Sequence, residues 1–152
     1  MKVKVLTGEQ KQKLLGKLIE RFGFPAGVFD EYEFYLLPEE IKICAQGVIS
    51  AVENIPNIYD AGFTFAKLGV NVKPSTQAVQ IFGKFAKKNI IELNFEEAVD
   101  FISGRDFYPT ASTENCTNGF VIVRFKEDNL GPGFLRGNQL KNLVPGAKRL
   151  EI

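Results

Sequence analysis

The chain has 152 residues, 45% hydrophobic and 24% charged, with 19 Lys+Arg against 18 Asp+Glu and a formal net charge of +1. That is the profile of one globular domain or two small lobes, able to bury roughly 68–70% of the unfolded surface without disulfides or a metal. Histidine is absent, which excludes Ser-His-Asp and Cys-His nucleophile activation and removes a common metal ligand and neutral-pH proton carrier; no catalytic residue, metal or cofactor is expected. From the N-terminus, Thr7 and Gln10 have capping-box spacing, and Leu14, Leu15, Leu18, Ile19 and Phe22 recur at helical intervals, so a helix over 8–22 ended by Gly23 is predicted. Residues 28–37 are aromatic and partly alternating, which favours strands. Pro38 suits a first helical position, and Ile41, Cys44, Ala45, Val48, Ile49 and Val52 predict a helix over 39–52, weakened by Gly47.

Residues 59–68 read as a strand with Gly62 allowing close backbone approach. Pro74 and Ser75 open a second helix with Val79, Phe82, Phe85 and Ala86 as its buried stripe. Lys84, Lys87 and Lys88 crowd its C-terminal end, where the helix dipole favours cations; RNA contact is the other reading. A short strand at 90–93 precedes a helix over 95–102, capped by Asn94 and closed by Gly104. A polar loop at 107–118 leads into GFVIVRF, 119–125, the clearest strand. KEDN is a turn, and RLEI at 149–152 suits a closing strand. Short strands, few helices and dense turns suggest a small mixed barrel rather than a regularly alternating doubly wound sheet.

No run approaches the roughly 18 apolar residues of a membrane span, and MKVKVLTGEQ lacks a signal-peptide core, so a cytoplasmic protein is expected, nucleolar if eukaryotic. Cys44 and Cys116 are far apart and read as reduced thiols. The pairs Glu39-Glu40 and Glu96-Glu97 read as first-turn capping charge. Gly131-Pro132-Gly133-Phe134-Leu135-Arg136-Gly137 lacks the strand-to-helix setting of a dinucleotide loop. Charge is uneven: residues 1–60 balance at −2 and residues 61–152 at +3. From Pro132 onward, Arg136, Lys141, Lys148 and Arg149 oppose only Glu151 and are interspersed with glycines and asparagines. That pattern suits either phosphate or an ordinary solvated face.

The ordered motifs GFTFAKLG, Pro74-Ser75-Thr76, KKNIIEL, FISGRDF, GFVIVRF and LGPGFLRGNQLKNLVPGAKR together resemble a PUA domain, a small RNA-binding pseudo-barrel. The likeness is to the PUA-like tail of Sun/Fmu-type RNA cytosine-C5 methyltransferases. It rests on Leu130-Gly131-Pro132-Gly133, Gly137-Asn138-Gln139-Leu140-Lys141-Asn142, Pro145 and Arg149. FYLLPEEIKICAQ followed by AGFTFAKLG resembles the lobe that precedes the PUA domain in small ribosome-biogenesis factors. The implied fold is α+β: a small α/β N-terminal lobe over 1–58, then a PUA-like mixed β pseudo-barrel over 59–152.

A methyltransferase of that type needs a cofactor-binding sheet and a catalytic Pro-Cys pair, and neither Cys44 nor Cys116 follows a proline. The resemblance therefore implies a non-catalytic RNA-binding protein in ribosome biogenesis or rRNA modification. Its partners would be structured RNA, rRNA or tRNA, with no DNA and no membrane, together with an RNA-modification enzyme or ribosome-assembly factor. Lys67, Lys73, Arg105, Arg136, Lys141, Lys148 and Arg149 are the expected phosphate contacts, and Gly62 and Gly133 the close-approach positions. Asn138 and Asn142 would meet base edges or ribose hydroxyls. Lys11 and Lys17, on the N-terminal helix, are taken as lying outside that surface. The alternative is a protein-interaction adaptor docking through the acidic aromatic segment 30–35.

Overall fold

Thr7 starts the first helix by reciprocal capping. Its Oγ1 accepts from the Gln10 N–H at 3.2 Å, and Gln10 Oε1 accepts from the Thr7 N–H at 3.0 Å. The helix, α1, spans Gly8–Phe22, buries Leu15, Leu18 and Phe22, and ends at Gly23 in the left-handed conformation. The computed structural model describes residues 4–52, 62–111, 113–144 and 146.

α1 lies on an antiparallel sheet of β1 (Lys4–Val5), β2 (Tyr32–Leu36), β3 (Glu40–Ala45), β4 (Phe63–Lys67) and β5 (Lys73–Pro74), in that spatial order. The helix predicted over 39–52 divides instead into strand β3 and a short helix. Leu37 and Glu40 exchange backbone hydrogen bonds at 2.9 and 3.4 Å, so Pro38 sits in a hairpin turn. Only Val48–Val52 is helical, as α2, after Gly47 at φ +90°. The β-branched Ile41 and Ile43 are fully buried between β2 and β4, and that pairing outweighs the helical spacing. Glu40 consequently lies in β3, and its carboxylate accepts from Thr64 Oγ1 at 3.1 Å instead of capping a helix.

α3 (Thr76–Phe82) begins at Ser75, whose Oγ accepts from the Ala78 N–H at 2.9 Å, and runs into a 3-10 turn over Gly83–Phe85. Val79 and Phe82 are buried as predicted, whereas Phe85 is exposed because the helix ends before it. Strands β4 and β5 fall beyond residue 58 yet extend the first sheet, so the sheets change over between Pro74 and Ile90.

The second sheet holds β6 (Ile90–Glu92), β7 (Gly119–Phe125), β8 (Asp128–Arg136) and β9 (Gln139–Asn142). β6 runs parallel to β7 through α4 (Phe95–Ile102), and the other pairs are antiparallel. Asn94 and Glu97 form a capping box on α4, and the buried Glu97 also accepts from the Thr110 N–H at 2.8 Å. The nine-residue strand β8 takes in Asp128 and Asn129 of the expected KEDN turn, which narrows to Lys126 and Glu127, and the LGPGFLR segment after it, without a predicted element. Its Pro132 stands just past Gly133, where β9 stops pairing. Both sheets are open, so the architecture is α+β without a closed ring of strands. The expected closing strand at 149–152 lies outside the described residues.

Two cores result. In the first, Phe29 meets Phe34, Phe65 and Phe82 at 5.8, 5.2 and 5.0 Å between ring centroids. The second packs Ile91, Phe101, Val121, Val123, Leu135 and Leu140 beneath α4. Ile122, on β7, points the other way and belongs to the first core.

Candidate RNA interface

Alternation along the second sheet decides which residues share a surface. Phe120, Phe134 and Lys141 are register partners across β7, β8 and β9, and Ile122, Pro132 and Arg136 share their face. The opposite face carries Val121, Val123, Gly133, Leu135, Leu140 and Asn142. The first lobe buries the Phe120 face at Ile122 and leaves Phe120 and Phe134 half-buried and Lys141 exposed.

α1 borders that end. Arg21 donates from Nε to the Phe120 carbonyl at 2.8 Å and from Nη2 to the Thr117 carbonyl at 2.7 Å, and its Nη1 donates to Thr117 Oγ1. Burial lowers the guanidinium's pKa, an effect countered by Cys116. Buried Asn89 ties the same seam: its Nδ2 donates to the Arg21 carbonyl at 2.5 Å and its Oδ1 accepts from the Thr117 N–H at 2.9 Å. Between helix and sheet lies a groove of about 340 Å³, lined by Lys17, Arg21, Asn71, Asn118, Phe120 and Phe134, among others. The half-buried Phe120 and Phe134 rings meet edge to face at 5.4 Å.

A second cleft, of about 180 Å³, opens on the same face of β8 at Pro132 and includes Glu40, Thr64, Lys67, Lys73 and Thr76. Asn71 and Val72 line the groove while Lys73 and Pro74 line the cleft, so one segment runs past both. Burial and the neighbouring Lys67 hold the Lys73 ammonium below its ordinary pKa. Thr76 Oγ1 is buried there without a hydrogen-bond partner. A third cleft combines Lys87, Lys88 and Arg124 with Glu92. Arg124 is committed to Asn129 Oδ1 at 2.8 Å and to the Gly83 carbonyl at 2.9 Å.

The structure thus gathers Lys67 and Lys73 in one cleft and sets Lys141 and Arg136 on the groove's face, with Asn138 exposed in the adjoining β8–β9 turn. Other expected site residues are occupied within the fold. A Cβ on Gly133 would stand 2.7 Å from Leu140 Cδ1, and one on Gly62, at φ +86°, would fall on the Ile43 carbonyl. Both glycines permit close approach by the protein itself. Asn142 donates from Nδ2 to the Phe101 carbonyl and accepts at Oδ1 from the Val144 N–H at 2.8 Å. Its amide therefore faces the interior. Arg105 is exposed and makes a surface ion pair with Asp100 at 2.7 Å. Lys148 and Arg149 lie outside the described residues.

Sequence reasoning missed Lys17, Arg21, Asn118, Phe120 and Phe134. The signal lay in GFVIVRF, where alternation puts Phe120 and Ile122 on one face and Val121 and Val123 on the other. Lys17, taken as remote, lines the groove, while Lys11 Nζ donates to the Phe29 carbonyl at 2.9 Å. The segment 30–35 does not present an aromatic surface, because Phe34 and Tyr35 are 1% exposed and Glu33 accepts from the Gly47 N–H at 2.5 Å. Burial raises the Cys44 thiol pKa, helped by Glu33, and raises that of Cys116 against the pull of Arg21. Among the described residues no helix is long and apolar enough to cross a membrane, and no group of three His, Cys, Asp or Glu could hold a metal ion.

Residues 88–150 match the family model of the methyltransferase RsmF PUA domain, a span that takes in β6, α4, β7, β8 and β9. Over 64 residues the chain is 36% identical to the ribosomal RNA small subunit methyltransferase F of Aeromonas hydrophila subsp. hydrophila. It is 33% identical to the protein of that name in Aeromonas salmonicida, also over 64 residues. Each alignment covers 42% of this chain and 13% of the relative. Over residues 88–150 the chain is thus similar to the PUA domain of the RsmF, or Sun/Fmu-type, rRNA methyltransferases.

Proposed function

We propose that the chain binds structured RNA in the service of rRNA modification or ribosome assembly, through the seam where its PUA domain meets the first lobe. The carrying observation is that the PUA-matched strands place Phe120, Phe134 and Lys141 on one face beside Lys17 and Arg21. Cations position phosphates, and half-exposed rings and amides suit bases. In this reading the chain supplies RNA recognition and leaves methyl transfer to a separate enzyme, in keeping with two thiols that follow no proline and have raised pKa values. The proposed location is the cytoplasm, or the nucleolus of a eukaryote.

The test is titration of a labelled rRNA hairpin with the protein at several salt concentrations. Counterion release predicts affinity that falls linearly in log–log form, with a slope of about 0.7–0.9 per phosphate neutralised. An affinity independent of salt, or no binding, overturns the proposal. A parallel incubation of rRNA with labelled methyl donor should incorporate nothing above background; incorporation abolished by Cys116→Ser would overturn the non-catalytic reading.

A further inference from the structure

We infer that the groove between α1 and the β7–β8 strands holds a single unpaired RNA base, stacked on Phe134, with the adjoining backbone led past Lys141 and Lys17. The inference rests on the RNA-binding reading and names the part of the RNA that this site takes. Three features carry it. First, the two rings on the groove floor are perpendicular, at 89°, so a planar base can lie parallel to only one of them. Phe120 packs against the first core, which leaves Phe134 as the platform and Phe120 as the side wall. Second, the polar groups around the rings are cations and amides. Lys17, Arg21, Asn71 and Asn118 line the groove with no carboxylate among the lining residues, whereas the other two clefts include Glu40 and Glu92. An apolar floor with a wholly cationic and amide rim fits a nucleotide, which brings its own negative charge, better than an apolar peptide segment. Third, Lys141 is the register partner of Phe134 on the same face, so an ammonium stands one strand from the platform, where the phosphate of a stacked nucleotide would lie. Base stacking on aromatic side chains is tolerant of base identity. The groove is therefore a site for an unpaired position in a loop or bulge rather than for one particular base.

The test uses two fluorescein-labelled single strands, a 12-residue oligoadenylate and the same ribose-phosphate chain carrying no bases, read by anisotropy. Charge is identical in the two probes. For the wild-type protein, loss of the bases should weaken binding about tenfold, within the range of stacking contributions per base. For Phe134→Leu, checked by thermal melting, the parent strand should bind about as weakly as the base-depleted one. Equal binding of both strands to the wild type would overturn the base site while leaving the RNA reading intact. Failure to bind either strand or the rRNA hairpin would overturn both. The wild-type comparison stands even if Phe134→Leu fails to fold.

Discussion

Gly133 leaves the space that Leu140 occupies: a Cβ at position 133 would meet Leu140 Cδ1 at 2.7 Å and Val123 Cγ2 at 3.0 Å. Gly133→Ala should therefore destabilise the protein by about 1–3 kcal/mol, the usual range for overpacking a filled core. Denaturant unfolding measures this. If Gly133 instead served RNA approach alone, stability would be unchanged and only affinity would fall.

Asn142 joins β9 to the end of α4 through the Phe101 carbonyl and closes on the Val144 N–H. Asn142→Ala is expected to cost about 2–3 kcal/mol, because it leaves partly buried backbone groups unpaired. An unfolding midpoint equal to the wild type would return Asn142 to the list of free, ligand-facing amides.

Lys17 lines the groove and Lys141, on the other lobe, is the strand neighbour of the groove's Phe134, whereas Lys126 sits in the hairpin turn at the opposite end of β7 and β8. Lys17→Gln plus Lys141→Gln should lower affinity for the rRNA hairpin and flatten the salt dependence by a slope of about 1.4–1.8, about 0.7–0.9 per contact. Lys126→Gln should change neither quantity by as much. Equal losses per lysine removed would mean a diffuse attraction.

Lys73 titrates below the ordinary lysine value of 10.5, first because of burial and then because of Lys67. Its charged form is thus less favoured in the fold than in the unfolded chain. Between the lowered value and 10.5 the unfolded chain holds more protons than the folded one, so stability rises with pH across that window. Against Lys73→Met, the wild type should gain relative stability as pH climbs through the window, and the gain should level off above 10.5. A difference independent of pH in chemical denaturation would contradict this.

Cys116 has a raised thiol pKa, dominated by burial, with Arg21 opposing it. Less thiolate at a given pH means slower alkylation. Mass spectrometry after iodoacetamide treatment at pH 7.5 should show Cys116 modified more slowly than the same residue in denatured protein. A native rate above the denatured one would indicate an activated thiol.

Local chemistry made several elements readable. The capping pairs Thr7–Gln10 and Asn94–Glu97, the Ser75 cap and the GFVIVRF run all state their structure within a few residues. What failed was non-local. Residues 39–45 carry helical spacing, but hairpin pairing with β2 and β4 decides them, and no residue within that window reports those partners. The expected contact residues are divided for a related reason. Lys141 and Asn142 are adjacent in sequence yet lie on opposite faces of β9, so Lys141 stands on the Phe134 face while the Asn142 amide is tethered to the Phe101 carbonyl. Arg21 and Thr117 are far apart in the chain and meet only once the two sheets have docked.

Ile122 is the fully buried side chain that β7 gives to the first lobe's core, with Phe120 packed at its edge. A fragment cut to residues 88–150 would keep the platform of Phe134 and the ammonium of Lys141 while stripping the cover from Ile122 and losing Lys17 and Arg21. The boundary of similarity to the methyltransferases is thus not a boundary of solubility. Such a fragment would expose a sticky sheet face and carry half a binding groove, and its aggregation would report on the missing lobe rather than on RNA.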